Sequence, residues 1–193
     1  MIAVALSRPV GRTAPRPTAR TAPDRRERAW VRAAQNGSAE ALEKLFRRHW
    51  PSAHRAAYLV VHDQAAAEDI AQEAFLAAIR ALDGFDRRRP FGPWLHRIVV
   101  NRSIDFARAR ALRREVAAEA APEASAAPDR ETPSDDVVAA LAALSPDQRA
   151  VVVLRYLLDY TPGEIAEALD LPRGTVNSRL RRALDGLGER LDD

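Results

Sequence analysis

Asp69, Gln72 and Glu73, with Leu76 and Arg80, recur at spacings that gather them on one side of a helix wound over residues 67–82. Asp69 and Glu73 lie one turn apart and could mimic a catalytic carboxylate pair. The sequence offers them no partnering base, no Gly-rich phosphate loop and no cysteine nucleophile, so an enzyme is not expected. The chemistry left to this face is recognition. Leu76 sits one turn beyond Gln72 and Glu73, an apolar group among hydrogen-bonding ones, which suits docking against another protein. A second array follows at once: Asp83-Gly84 breaks the helix, and Arg87-Arg88-Arg89-Pro90 makes a cationic loop suited to phosphates. A third lies near the far end, where residues 171–182 hold four Arg and no acid. Arg there can grip guanine edges bidentately, and Asn177 can grip adenine. Singly, a polar helix face or an Arg run is commonly a solvated surface; three in one chain ask for a common partner.

The elements that must carry these arrays read as helices throughout, which makes the expected fold all-α, with two small helical domains. A first helix over residues 25–35 ends at Asn36-Gly37, and Ser38 is a natural N-cap for the next, with Leu42, Leu45 and Phe46 as its buried stripe. Pro51 is expected to bend or split that helix before residues 53–61. Asp63 can cap the docking helix, whose core stripe is Ile70, Ala74, Phe75, Ala78 and Leu82. A last helix of this domain is expected from Pro93 to about Ala111, with Trp94, Leu95, Ile98, Val99 and Phe106 for packing and Arg97, Asn101, Arg102, Arg108 and Arg110 elsewhere. Domain boundaries are placed at residues 24–114 and 136–193. The second domain opens with a helix over residues 137–144. Ser145-Pro146-Asp147-Gln148 and Thr161-Pro162-Gly163-Glu164 then spell two capping boxes with Pro in the first turn. The short helix after Thr161, the turn Asp170-Leu171-Pro172 and the Arg-rich helix beyond it form a helix-turn-helix. Val176, Leu180, Ala183 and Leu184 supply that last helix's inner stripe, leaving Asn177, Ser178, Arg181 and Arg182 outward.

Composition agrees with a polyanion partner. The net charge of +3 conceals a partition: residues 24–114 hold 18 Lys/Arg against 11 Asp/Glu, whereas residues 115–136 hold one Arg against seven acids. Residues 1–23 carry four Arg and no acid and read as a disordered basic arm; residues 115–135, rich in Ala, Pro and acid, read as a flexible linker. Cysteine is absent, and His49, His54, His62 and His96 show no ligand spacing, so no metal and no cofactor are expected. No apolar run is long enough to cross a bilayer, and Arg8 and Pro9 interrupt the only N-terminal apolar stretch, so the expected location is cytoplasmic.

In this order and at these separations, the motifs resemble the extracytoplasmic-function sigma factors, small bacterial sigma factors that keep two domains of their larger relatives. The residues are Asn36-Gly37-Ser38 with Ala41, Ala67-Glu68-Asp69, Gln72-Glu73-Ala74-Phe75, Arg80-Ala81-Leu82-Asp83 and Phe85, then Trp94-Leu95, Arg97-Ile98, Asn101 and Asp105. The second domain adds Glu164-Ile165-Ala166, Leu171-Pro172, Gly174-Thr175-Val176 and Ser178-Arg179-Leu180.

The resemblance implies partners and roles. Asp69, Gln72 and Glu73, with Leu76 as an apolar anchor, would bind the β′ clamp helices of core RNA polymerase, whose β subunit is a further implied partner. The loop from Phe85 through Arg87, Arg88 and Arg89 to Phe91, with Trp94 and Asn101, would receive a base flipped out of the minus-ten promoter element. Arg173, Gly174, Thr175, Asn177, Ser178, Arg181 and Arg182 would read the minus-thirty-five element as duplex. An anti-sigma factor, often membrane-bound, is implied as an inhibitor that would hold the chain at the inner face of the membrane; no small-molecule substrate is implied. Asn177 and Arg173 depart from the side chains many relatives have there, so the promoter sequence does not transfer. The alternative reading is a stand-alone helix-turn-helix transcriptional regulator, which accounts for residues 137–191 but gives Asp69, Gln72, Glu73, Trp94 and Asn101 no role.

Overall fold

The computed structural model describes residues 24–120 and 136–191, and every regular element among them is helical. The basic arm and most of the expected linker lie outside the described residues. Helices α1 (Arg25–Gln35), α2 (Ala39–Val61), α3 (Gln64–Arg80) and α4 (Phe91–Ala120) form the first body, with a 3-10 turn at Leu82–Gly84 after α3. Side-chain caps set the starts: Asp24 accepts from Arg26 N, Ser38 from Ala41 N and Asp63 from Ala66 N. Helix α2 packs against α1, α3 and α4, and small residues make that close approach possible: Ala53, Ala56, Ala57, Ala67, Ala71, Ala74 and Ala78 are all fully enclosed.

Two expectations about this body are corrected. Helix α2 is continuous through Pro51. Pro51 and Arg47 both face solvent, so the carbonyl that loses its N–H donor to the proline ring is open to water, and no packing contact is disturbed. Helix α4 begins at Phe91 and runs to Ala120, well past Ala111 and into the stretch expected to be linker. Residues 111–120 have little apolar bulk for a core, but Ala, Leu, Arg and Glu are strong helix formers. Extending an existing helix avoids the cost of nucleating a new one.

The second body comprises α5 (Asp136–Ala142), α6 (Pro146–Val152), a π-helical turn Val153–Leu157, α7 (Pro162–Leu169) and α8 (Arg173–Leu191). Both capping boxes form, with reciprocal bonds between Ser145 and Gln148 and between Thr161 and Glu164. The helix expected to continue to Leu158 instead widens by one residue, Leu158 N bonding to Val153 O. Asp170 ends α7 in the left-handed region (φ 53°), a conformation Asp tolerates, and turns the chain into α8. Val176, Leu180, Ala183 and Leu187 bury the inner face of α8 against α6 and α7.

The two bodies pack together, α6 on α2 and α4 and α7 on α4. The contact is polar at its fixed points. The Arg149 guanidinium of α6 donates to Val60 O (2.5 Å), near the C-terminus of α2, and to Leu144 O (2.9 Å) and Ala142 O (3.5 Å) of its own body. Burial pushes its pKa down to about 10, so it remains a cation at neutral pH. The Tyr160 hydroxyl donates to Pro93 O (3.2 Å), and Asp147 accepts from both Arg108 (2.6 Å) and Arg179 (2.9 Å).

His62 caps α2 beside this contact with φ 52°, and neither ring nitrogen meets a hydrogen-bond partner among the described residues. Burial first, and then the Arg149 cation, lower its pKa from 6.5 to about 4. The folded chain therefore resists a proton that the unfolded chain accepts. The stability this confers is complete above pH 6.5 and is lost as pH falls from 6.5 toward 4. Thermal melts between those limits should fall more steeply for the wild type than for His62→Asn, which keeps the left-handed cap but cannot titrate; parallel curves would refute the assignment.

Candidate functional site

Helix α3 separates its two faces as its periodicity dictates. Ile70, Ala74, Phe75 and Ala78 are buried, while Asp69, Gln72, Glu73, Leu76 and Arg80 are exposed, Leu76 by 52%. Gln72 donates to Glu68 (3.2 Å), and Arg102 of α4 donates to Glu73 (2.7 Å). These links orient the polar groups outward at little energetic gain, since both partners of each are open to solvent. The apolar part of the surface is wider than the sequence suggested. Ile79 is 44% exposed, one turn from Leu76, and Phe46, expected in the buried stripe of α2, is 39% exposed. Phe46 stacks on Trp50 at 4.9 Å and meets Phe75 at 4.8 Å. The i+3 spacing of Leu76 and Ile79 was the available signal for this extension.

The loop after α3 is built from the inside. Phe85 and Phe91, expected to face DNA, are instead buried, 8% and 4% exposed. Phe85 packs on Trp94 at 4.6 Å, and Phe91 meets Trp94 at 5.5 Å and Phe85 at 5.9 Å, so the aromatic cluster roots the loop in the core. What the loop presents is cationic: Arg87, Arg88 and Arg89 are exposed, and Asp86 folds back on the Arg88 backbone N–H (2.9 Å) and side chain (3.0 Å). The Arg88 guanidinium beside Asp86 holds that carboxyl below the usual carboxylate range. Trp94 remains half-buried. Asn101 lies two turns further along α4, and its amide donates to Ala168 O of α7 (3.2 Å), which places it in the contact between the bodies.

The sequence reading missed the polar groups behind this loop. Glu27 of α1 is buried and accepts from Phe91 N (3.0 Å), the first residue of α4, and from His49 Nε2 (3.2 Å), with Arg48 Nε at 3.3 Å. Burial alone would raise its pKa, but the His49 hydrogen bond, the Phe91 N–H and the neighbouring Arg48 charge hold the carboxyl below its ordinary value. Gln35 donates to Leu82 O (2.9 Å) and Phe85 O (3.0 Å). The signal was that Glu27 shares the apolar stripe of α1 with Val31 and Ala34.

On α8, Arg173, Gly174, Asn177, Arg181 and Arg182 are exposed, and Thr175 and Ser178 are half-buried. The Ser178 hydroxyl donates to Thr175 O (2.9 Å), which leaves its oxygen as an acceptor. The structure therefore gathers the expected duplex-facing residues on the first three turns of one helix, away from the buried stripe.

Two family models match the chain: sigma-70 region 2 over residues 45–113 and sigma-70 region 4 over residues 134–185. The chain is 30% identical to the ECF RNA polymerase sigma factor SigW of Bacillus subtilis over 178 residues, covering 84% of this chain and 95% of SigW. It belongs to the extracytoplasmic-function sigma factors. Its function is accordingly to direct transcription initiation, as a subunit that brings promoter recognition to core RNA polymerase. The stand-alone regulator is not favoured, because the match extends beyond the helix-turn-helix over α3 and most of α4. Among solved structures, CnrH in complex with the cytosolic domain of CnrY aligns with a TM-score of 0.65 at 31% identity, covering 86% of this sigma factor and 97% of CnrH. The sigma factor RpoE of Bartonella quintana, solved with the anti-sigma factor NepR, shares the fold at 22% identity and a TM-score of 0.61, covering 78% and 96%.

The placement of Phe85 is checked by stability alone. Phe85→Ala should destabilise this sigma factor by about 3 kcal/mol through the cavity it leaves, while Arg87→Ala stays within about 0.5 kcal/mol of the wild type. Equal melting temperatures for the two variants in urea or heat would return Phe85 to the surface.

Proposed function

We propose that the two bodies divide the work between them. Asp69, Gln72, Glu73 and Leu76, widened by Ile79 and Phe46, dock on the β′ clamp helices of core polymerase. Arg87, Arg88 and Arg89, with Trp94 and Asn101, engage the minus-ten element, and Arg173, Gly174, Thr175, Asn177, Ser178, Arg181 and Arg182 engage the minus-thirty-five duplex. The observation that carries this reading is the exposed face of α3: a half-exposed leucine set among ordered polar groups has no task within the chain's own core. Phe85 and Phe91 act behind the surface, as the floor of the minus-ten loop. Neither Asp69 nor Glu73 has the enclosure or partnering base that acid–base catalysis needs, and the protein works by binding, without catalysis of its own. No helix among the described residues is long and apolar enough to cross a membrane, and the protein acts in the cytoplasm, where its polymerase is.

Regulation follows from the packing of the bodies. The Asn101 amide is engaged by Ala168 O while the bodies are packed, so its use in minus-ten recognition requires the contact between α4 and α7 to open. The solved complex of RpoE with the anti-sigma factor NepR supports the further proposal that an anti-sigma protein binds this chain and holds it inactive.

Asp69→Ala combined with Gln72→Ala should weaken assembly with core polymerase by roughly tenfold or more while leaving thermal stability unchanged, because both side chains are exposed; native-strength assembly in a fluorescence titration would remove α3 from the interface. Arg181→Ala or Arg182→Ala should cost about 1–3 kcal/mol against one base pair of the minus-thirty-five element if that Arg is bidentate. A uniform loss across a panel of mutated promoters would reassign it to phosphate.

A further inference from the structure

The segment 82–91 is attached to α1 at both ends. At its start, the Gln35 amide donates to two carbonyls of the turn, Leu82 O and Phe85 O, three residues apart, at 2.9 and 3.0 Å. At its end, Glu27 Oε1 accepts from Phe91 N at 3.0 Å, satisfying one of the orphan donors where α4 begins. The other Glu27 oxygen is fixed by His49 and Arg48, and His49 in turn crowds position 92: a Cβ there would stand 3.0 Å from His49 Cε1, so the ring would have to give by a few tenths of an ångström. Glu27 and Gln35 are eight residues apart on a rigid helix, a separation of roughly 12 Å. Between the two anchor points the chain has only Arg87, Arg88, Arg89 and their neighbours to present outward.

We infer that Glu27 and Gln35 are positioning residues for promoter opening: from α1 they clamp the two ends of the 82–91 segment, so that the Arg87–Arg88–Arg89 loop is already in place when a minus-ten base leaves the stack. This rests on the reading of that loop given under the proposed function. The physical ground is preorganisation. A base extruded from the duplex gives up stacking, and a loop that also had to be ordered at that moment would add its own entropy to the barrier. Held at both ends, the loop contributes its cations without that second cost. Neither clamp residue touches the exposed face of α3, so core docking and loop order are separable.

The test uses holoenzyme reconstituted with core polymerase on a promoter mapped with the wild-type protein. Core affinity is read by titration and strand opening by a fluorescent base placed in the minus-ten element. Gln35→Ala and Glu27→Ala should each slow opening roughly tenfold, the scale of one lost hydrogen bond to a charged or buried group, with core affinity within about twofold of the wild type. Glu27→Gln, which keeps an acceptor for Phe91 N, should restore most of the rate. Opening at the wild-type rate in both Ala variants, or a proportionate fall of opening and core affinity together, overturns the inference. Should Glu27→Ala fail to fold, Gln35→Ala, neutral and half-buried, decides alone. The Arg87→Ala, Arg88→Ala, Arg89→Ala triple variant separates the two levels: if it opens promoters normally, the loop's minus-ten role falls and the clamp with it. If it is slow while the clamp variants are normal, only the clamp falls.

Discussion

A half-buried guanidinium that meets no carboxylate among the described residues ties the two bodies of this protein together. Among the described residues Arg149 meets carbonyls alone, and these lie where helices run out: Val60 near the end of α2, Ala142 and Leu144 at and just beyond the end of α5. The last carbonyls of a helix have no intrahelical donor and carry the negative end of its dipole, so two helix termini from different bodies converge on one cation. A carboxylate in the same place would have made a self-contained ion pair, indifferent to where the second body lay. Carbonyls of the backbone are fixed in space, and the cation is content only where both helix ends meet. Two further bonds of the contact, Tyr160 to Pro93 and Asn101 to Ala168, also use backbone carbonyls and share that directional character.

The local grammar of the sequence predicted the local structure well. Ser38, Asp63, Ser145 and Thr161 cap helices because a short polar side chain next to its own backbone needs no tertiary help. The two faces of α3 and the inner stripe of α8 followed from a 3.6-residue period. What sequence did not show was anything whose partner is remote. Phe85 and Phe91 flank an Arg run and looked like part of its surface; their burial depends on Trp94 and on α1. Glu27 stands in a charged helix, and only its place on one stripe with Val31 and Ala34 marks it as buried. Pro51 failed to break α2 because a proline on the wet side of a helix removes a bond that water can replace. Residues 111–120 continued as helix because intrinsic propensity, not core bulk, governs an extension.

The first body thus has two mechanically different surfaces. The α3 face is shaped by its own helix and a few mutual side-chain links, and would survive changes elsewhere. The Arg87–Arg89 loop has little structure of its own and takes its form from α1, from the aromatic floor and from the start of α4. A protein that must both bind core polymerase and recognise promoter DNA gains from keeping two such surfaces independent, since the geometry of one can be tuned without loosening the other.

Asp147 sits between Arg108 of α4 and Arg179 of α8, accepting from both. In that position it acts as a resident counterion. Two guanidiniums that would otherwise condense small anions from solution share one internal negative charge, and one of them belongs to α8, the helix proposed to meet the minus-thirty-five duplex. Separating the bodies strips Arg108 of this shared anion and leaves its charge for electrolyte to compensate. The ionic-strength dependence of DNA capture thereby becomes a gauge of conformation, steeper for the parted molecule than for the packed one, because counterion release counts only those charges the protein has not already balanced for itself.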